Sequence, residues 1–338
     1  MKEISFGESL AIPDAVCIDV RSPAEFEEDH VSGAVNVPLF DNGERKEIGT
    51  IYRAAGREDA IVRGTEIVGG KLKDIVREVL RFGEKNIIVM CARGGMRSAS
   101  LASLLDSLGM KVWKITDGYK GYRRHVRERL GALKLPAPPV VLQGLTGAGK
   151  TEIIRRIPHS MDLEDMAGHR SSVFGGIDKI QKTQKRFETL IIERIAGLAG
   201  APWVLIEGES RKIGNLHIPD ELHAAMQESP CIYLDTPIER RVGIIYEEYH
   251  AHCDDENIPR IVESLTAKLG RNTVDRLIGL YRAGEIREFI RIMLEKYYDP
   301  LYRHSLEKRN YLAVVRNDDT EEATERIIEC MENYVLKK

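Results

Sequence analysis

The segment Val140–Thr151, VVLQGLTGAGKT, leaves this chain few folds to choose from. Its apolar, β-branched start reads as a buried strand, and Gly144-Leu-Thr-Gly-Ala-Gly149-Lys150-Thr151 is a complete G-x-x-x-x-G-K-[ST] match that opens a helix over 150–157. The glycines let the backbone approach an anion and point successive N–H groups at phosphate oxygens. The helix presents its positive end to the same anion, Lys150 adds a mobile charge, and the Thr151 hydroxyl can ligate magnesium. Gly144, Thr146, Gly147, Ala148, Gly149, Lys150 and Thr151 are therefore the candidate phosphate-binding set. A strand–loop–helix of this kind belongs to a parallel sheet with helices on both faces. The motif recognises a diphosphate and not a base, and no NKxD-like guanine motif accompanies it, so nucleotide and other diphosphates both stay open.

The same alternation runs through the rest of the 338 residues, a length that suits two domains. Before the phosphate loop, Ala15–Val20, Asn86–Met90 and Lys111–Ile115 read as strands. Lys71–Phe82 and Arg97–Leu108 read as helices stopped by Gly83 and Gly109, and a basic helix follows Gly118. Lys134–Pro139 then places three prolines in four positions, which neither a helix nor a central strand accepts. The expected organisation is a domain over 1–133, a linker over 134–139 and a second domain over 140–338. In the second domain Val140–Gln143, Trp203–Ile206, Cys231–Leu234 and Tyr311–Val315 read as strands, with a long helical stretch over about 259–305. The strand at Trp203–Ile206 runs into Glu207, where an acid could hold magnesium directly or through water, and Glu209 follows closely. Ile232-Tyr-Leu-Asp-Thr-Pro with Arg240 and Arg241, and Val315-Arg-Asn-Asp, are similar to the corresponding parts of small nucleotide kinases, which implies a kinase-like fold.

A second candidate centre is Cys91-Ala-Arg93-Gly94-Gly95-Met-Arg97-Ser98, between the strand at 86–90 and a helix. A loop of successive N–H groups capped by a helix N-terminus favours a thiolate, and Arg93 and Arg97 add permanent positive charge. Two chemistries use such a loop: a relay that carries sulfur or selenium on the cysteine, or a phosphocysteine at the Cx5R spacing from Cys91 to Arg97. Met90 replaces the histidine that usually precedes a phosphatase cysteine. Cys17, Cys231, Cys253 and Cys330 sit in apolar contexts and read as core; with Cys91 they make five, an odd number with no CxxC pair, which argues against a disulfide framework and a cysteine zinc site. The start MKEISFGESLAIPDAV has no basic stretch followed by an apolar one, and no apolar run reaches membrane-spanning length, so a cytoplasmic location is expected. The net charge of −3 announces no nucleic-acid binder globally, yet Lys120, Arg123, Arg124 and Arg127 cluster on one helix and could face RNA phosphates.

The opening segment resolves between the two cysteine chemistries. Asp19-Val-Arg21-Ser-Pro-Ala-Glu25-Phe26 and His30-Val-Ser-Gly33-Ala34-Val-Asn36-Val-Pro38 closely resemble the first motif of rhodanese-like domains. A rhodanese-like domain followed by a P-loop domain resembles the tRNA 2-selenouridine synthase family. The stretches CARGGMRS (91–98), GYKGYR (118–123), GLTGAGKTE (144–152), DLEDMAGHR (162–170), FGG (174–176) and EGESRKIGNLHIP (207–219) carry that resemblance across both halves. It implies an α/β protein whose rhodanese-like parallel sheet precedes a kinase-like P-loop domain with a helical insertion. It also implies a tRNA-modifying enzyme that replaces the C2 sulfur of wobble 2-thiouridine with selenium through an S-geranyl intermediate. The implied co-substrates are selenophosphate and geranyl diphosphate, with no bound organic cofactor and magnesium at the phosphate loop. Cys91 would carry selenium beside Arg93 and Arg97. His169, Arg170, Glu207, Glu209, Ser210 and Arg211 would lie near the diphosphate or the tRNA anticodon region. The tyrosines and arginines between 281 and 303 read equally as stacking platforms or as helix packing. The alternatives are a Cx5R phosphatase or sulfurtransferase fused to a small-molecule kinase, and a non-catalytic tRNA-binding module.

Overall fold

The computed structural model describes residues 1–176, 179–249, 257–306 and 309–337; Cys253 lies outside the described residues. The chain divides into two compact units, Met1–Ala132 and Leu133–Lys338.

The first unit is built on five parallel strands: β1 (Lys2–Ile4), β2 (Ala15–Asp19), β3 (Val35–Asn36), β4 (Asn86–Met90) and β5 (Val112–Ile115), in the order β1-β5-β4-β2-β3. Strand β4 is central and its run Ile87–Met90 is buried, as a strand covered on both faces must be. Ile18, Val79, Ile87, Val89, Ala102 and Leu105 form the heart of this core. The helix expected over 71–82 is the last part of a 24-residue helix, Arg57–Leu80. Its earlier turns hold Gly64, whose helical cost of about 1 kcal/mol masks them in the sequence. The absent side chain has a use, since a Cβ there would stand 3.3 Å from the Phe40 ring.

The second unit carries β6 (Pro139–Gln143), β7 (Ser160–Met161), β8 (Val204–Glu207), the hairpin β9 (Lys212–Ile213) and β10 (Leu216–His217), then β11 (Cys231–Asp235) and β12 (Tyr311–Arg316). Five of these make a parallel sheet in the order β12-β11-β6-β8-β7. Numbered within the unit, this is a 2-3-1-4-5 sheet with β6 at its centre, the kinase-like arrangement. From β6 the chain first lays down β7 and β8 on one side of it and then crosses over to lay down β11 and β12 on the other. The carboxyl end of β6 is thus a switch point where ligands bind in open α/β sheets. Pro139 opens β6, a position where the missing N–H costs nothing.

Between β11 and β12 the chain inserts a helical body: Asn257–Ser264, Thr266–Leu269, Arg271–Arg282, Ile286–Met293, a π-helical turn Leu294–Tyr298, and Asp299–Leu306. It has its own core, in which Val262, Val274, Leu277 and Leu294 are fully buried and Phe289, Met293, Tyr297 and Tyr298 nearly so. Among the described residues no helix is long and apolar enough to cross a membrane.

Candidate functional site

In the first unit the loop 91–95 joins β4 to the helix Met96–Ser107 and is held from below by the turn at 116–118. Gly94 has φ +62°, and a Cβ there would stand 1.7 Å from the Thr116 carbonyl oxygen. Gly118 has φ +55°, and its Cβ would stand 2.0 Å from the Cys91 carbonyl oxygen. Tyr119 and Lys120 donate their backbone N–H groups to the carbonyls of Cys91 and Ala92 at 2.8 and 3.0 Å. Buried Lys114 donates to the Gly94 carbonyl at 2.9 Å. These bonds fix the carbonyl groups of Cys91, Ala92 and Gly94 and so hold the loop in its curled form. Cys91 Sγ lies 3.1 Å from the Ser98 hydroxyl, itself fully buried, which donates to the Gly95 carbonyl at 3.1 Å.

The two arginines of this loop part company. Arg97 is tied to Glu25 at 2.8 Å, and Arg45 adds a second cation 3.6 Å from the same carboxylate. Partial burial would raise the Glu25 carboxyl, but the Arg97 hydrogen bond and charge outweigh it and hold it at about 2. Arg97 thereby joins the helix Met96–Ser107 to the helix Pro23–Glu28. Arg93 is exposed, and its guanidinium is ion-paired with no described carboxylate.

In the second unit the phosphate loop lies against two neighbours. Gly147, at φ +74°, leaves no room for a Cβ beside Ile245, and Gly149, at φ +87°, abuts Asn317. Asn317 donates to the Ala148 carbonyl at 2.8 Å, as does the Thr236 hydroxyl. Arg241 donates to the Thr146 carbonyl at 2.9 Å and pairs through both terminal nitrogens with Asp299, at 2.6 and 3.0 Å. This buried pair joins the phosphate loop to the helical body. Sequence reading missed it because the partners stand 58 residues apart.

Acids surround the loop's cation. Thr151 donates its hydroxyl to Glu207 at 2.9 Å, Glu207 also accepts from the backbone N–H of Glu164, and Lys150 lies 3.9 Å from Glu209. Burial, then the charges of Glu164 and Glu209, push the Glu207 carboxyl well above the usual range. Burial and Glu164 raise Glu209 against the opposing pull of Lys150. Burial works against the Lys150 ammonium, but Glu209, Glu207 and Glu164 together hold its pKa up. Among the described residues no three ligating side chains converge as a metal cluster.

The phosphate loop opens into a cavity of about 740 Å³, a size that suits a small ligand. Lys150, Thr151, Arg170, Glu164, Glu209 and Ser210 give it a polar end. Ile245, Tyr281, Phe289, Ile290, Met293 and Tyr302 belong to its apolar wall, all from the helix Ile238–Tyr249 and the inserted helical body. Arg170 pairs with Glu248 at 2.5 Å. His169 packs its ring against Gly175, Gly176 and Gly214, which fixes the loop that follows the helix Leu163–Ala167. Arg211 pairs with Asp220 on the surface.

On the helix Gly118–Gly131, Lys120, Arg124 and Arg127 are exposed, with Arg124 paired to Asp117. Arg123 is not a surface cation: it is 8% exposed and reaches fully buried Asp29 at 3.4 Å. Asp29 also accepts from Tyr119, and Arg21 lies over the Tyr119 ring and pairs with Asp19. Arg123 thus belongs to a buried network that ties this helix to the segment 19–30. Tyr297 and Tyr298 are packed within the helical body, which removes them as stacking platforms.

The comparisons with known proteins follow this division. The rhodanese-like domain model matches residues 6–125, and the tRNA 2-selenouridine synthase AAA domain model matches residues 137–275. The tRNA 2-selenouridine synthase of Hahella chejuensis (strain KCTC 2396) is 32% identical over 344 aligned positions, covering 92% of this chain and 90% of its own. A crystal structure of the N-terminal domain of a protein from Clostridium difficile 630, described as ATP/GTP binding, is 44% identical; the match covers 36% of this chain and 97% of that one, with a TM-score of 0.36. With a cysteine loop in one unit, a phosphate loop in the other and a relative 32% identical across 92% of this sequence, the chain belongs to the tRNA 2-selenouridine synthase family.

Proposed function

We propose that the chain converts 2-thiouridine at the wobble position of tRNA to 2-selenouridine in the cytoplasm, through an S-geranyl intermediate, with geranyl diphosphate and selenophosphate as co-substrates. The observation that carries this reading is the cavity of the second unit, where a diphosphate cradle and a hydrocarbon wall share one space. A nucleoside triphosphate needs the cradle but has no use for so large an aliphatic and aromatic lining; an isoprenoid diphosphate needs both. The backbone N–H groups of Gly147–Thr151 and the Lys150 ammonium would hold the diphosphate and take up the charge that grows on it as it leaves. Thr151 and Glu207 would hold magnesium together with the diphosphate oxygens, and the ion would neutralise leaving-group charge. The crowding of Glu164, Glu207 and Glu209, which raises their neighbours' pKa values, is the electrostatic setting in which a cation is welcome.

With Arg93 drawing in the anionic donor, the Cys91 thiolate would take the phosphoryl group of selenophosphate and free its selenium as hydroselenide, which bonds C2 of the modified base as geranylthiol leaves; water then frees the thiol and phosphate departs, with no change of oxidation state. The Ser98 hydroxyl, 3.1 Å from Cys91 Sγ, would turn its one proton from the Gly95 carbonyl to the charged sulfur. Lys120, Arg124 and Arg127 are the exposed cations available for tRNA phosphates. Equilibrium binding tests the diphosphate assignment. Geranyl diphosphate should bind the whole chain at least about tenfold more tightly than inorganic diphosphate, since burying even two or three of its methylenes is worth that much. Lys150→Ala should weaken both. ATP binding more tightly than geranyl diphosphate would overturn it.

A further inference from the structure

One apolar residue of the cavity wall differs from the others in how it gets there. Phe289, Ile290 and Met293 stand on an inserted helix, whereas Phe174 is carried by the loop between the helix Leu163–Ala167 and the helix Gln184–Gly197. Phe174 is 9% exposed, and its ring centroid lies 6.2 Å from that of Phe289.

The loop is built to hold this ring still. Arg170 donates its backbone N–H to the Gly175 carbonyl at 3.1 Å, and Gly175 donates to Ser172 at 2.9 Å, closing a turn around Phe174. A Cβ on Gly175 would stand 1.7 Å from the Arg170 carbonyl oxygen, so the turn requires glycine. The Arg170 side chain anchors the same turn to Glu248. Ser171 donates its N–H to Glu164 at 2.6 Å, which ties the loop to the acids beside Lys150. The FGG stretch is thus a device that brings a large ring into a hydrocarbon wall from the side of the phosphate machinery.

We propose that Phe174 sets the length of the hydrocarbon chain that the cavity accepts behind the diphosphate. The inference rests on the isoprenoid diphosphate reading above. Phe174 lines the cavity, so truncating it enlarges the space that a chain can enter. Close-packed surroundings relax only in part around such a truncation. Apolar pockets discriminate single methylenes by about 10- to 200-fold, so a five-carbon difference set against a fixed ring is strongly selected.

The test is equilibrium binding of dimethylallyl, geranyl and farnesyl diphosphates to the full chain and to Phe174→Ala, Phe174→Leu and Phe174→Trp, with inorganic diphosphate as reference. Wild type should favour the ten-carbon chain over the fifteen-carbon one. Phe174→Ala should shift the farnesyl-to-geranyl affinity ratio upward by about tenfold or more, with Phe174→Leu between. Phe174→Trp should shift preference toward the five-carbon chain. Inorganic diphosphate should bind all four proteins alike, which certifies the phosphate loop; if Phe174→Ala fails that check, Leu and Trp decide. Unchanged chain-length ratios in variants that keep diphosphate binding would overturn the role of Phe174 and leave the isoprenoid reading standing. If no prenyl diphosphate outbinds inorganic diphosphate in the wild type, the isoprenoid reading falls and this inference with it.

Discussion

Charge placement at single residues separates machinery from scaffold in the cysteine loop. Arg97 faces Glu25, and the pairing keeps that carboxyl ionised down to about pH 2. Arg97→Ala would leave Glu25 half-buried beside Arg45 alone. A drop of about 1–3 kcal/mol in unfolding free energy is expected, read by urea denaturation. Arg93→Ala should leave stability within about 0.5 kcal/mol while raising the KM for selenophosphate. Because the folded pKa of Glu25 is depressed, its stabilisation is present above about pH 4.5 and is lost as pH falls toward 2. The acids of the phosphate loop have the opposite sign. Glu207 and Glu209 have raised folded pKa values, so the folded chain binds more protons than the unfolded one. Their contribution therefore falls as pH rises above about 4.5. Glu209→Gln should flatten that decline, and magnesium with inorganic diphosphate should raise Tm more at pH 8 than at pH 5.5. The residues of CARGGMRS were legible as a site from type and spacing. The split between Arg93 and Arg97 was not, because Glu25 lies 72 residues away and the pairing is created by the sheet order. Arg123 misled for the same reason, since its partner Asp29 is 94 residues distant.

Elements repeat this lesson at longer range. The strands β2, β4, β6, β8, β11 and β12 announce themselves as apolar runs, and the prolines mark the start of β6. The two-residue strands β3 and β7 are too short to carry a pattern, and pairing alone makes them strands. The helical stretch after 259 was visible as a lack of breakers, but its π-helical turn Leu294–Tyr298 was not, because no local residue demands it. The widened turn ends directly before Asp299, which Arg241 anchors through both terminal nitrogens. Arg241→Met leaves Asp299 buried without its cation and the Thr146 carbonyl without its donor. A loss of about 3–5 kcal/mol is expected, with weaker diphosphate binding. The double variant Arg241→Met with Asp299→Leu should recover most of the stability but not the diphosphate affinity. Recovery of both would show that the pair serves packing alone.

At the scale of the whole molecule, each unit presents one kind of chemistry. The first offers a thiol at the head of a glycine-rich loop, beside the Ser98 hydroxyl; the second offers a phosphate loop that opens onto a hydrocarbon-lined cavity. Under the proposed function, geranylation and selenium transfer would be separable steps on one base. Mass spectrometry of nucleosides tests this most directly. A tRNA containing 2-thiouridine would be incubated with selenophosphate and geranyl diphosphate and with wild type, Cys91→Ser or Lys150→Ala. The expected result is 2-selenouridine with wild type, accumulation of S-geranyl-2-thiouridine with Cys91→Ser, and unchanged 2-thiouridine with Lys150→Ala. Full conversion to 2-selenouridine by Cys91→Ser, or unimpaired geranylation by Lys150→Ala, would contradict the assignment of one step to each unit.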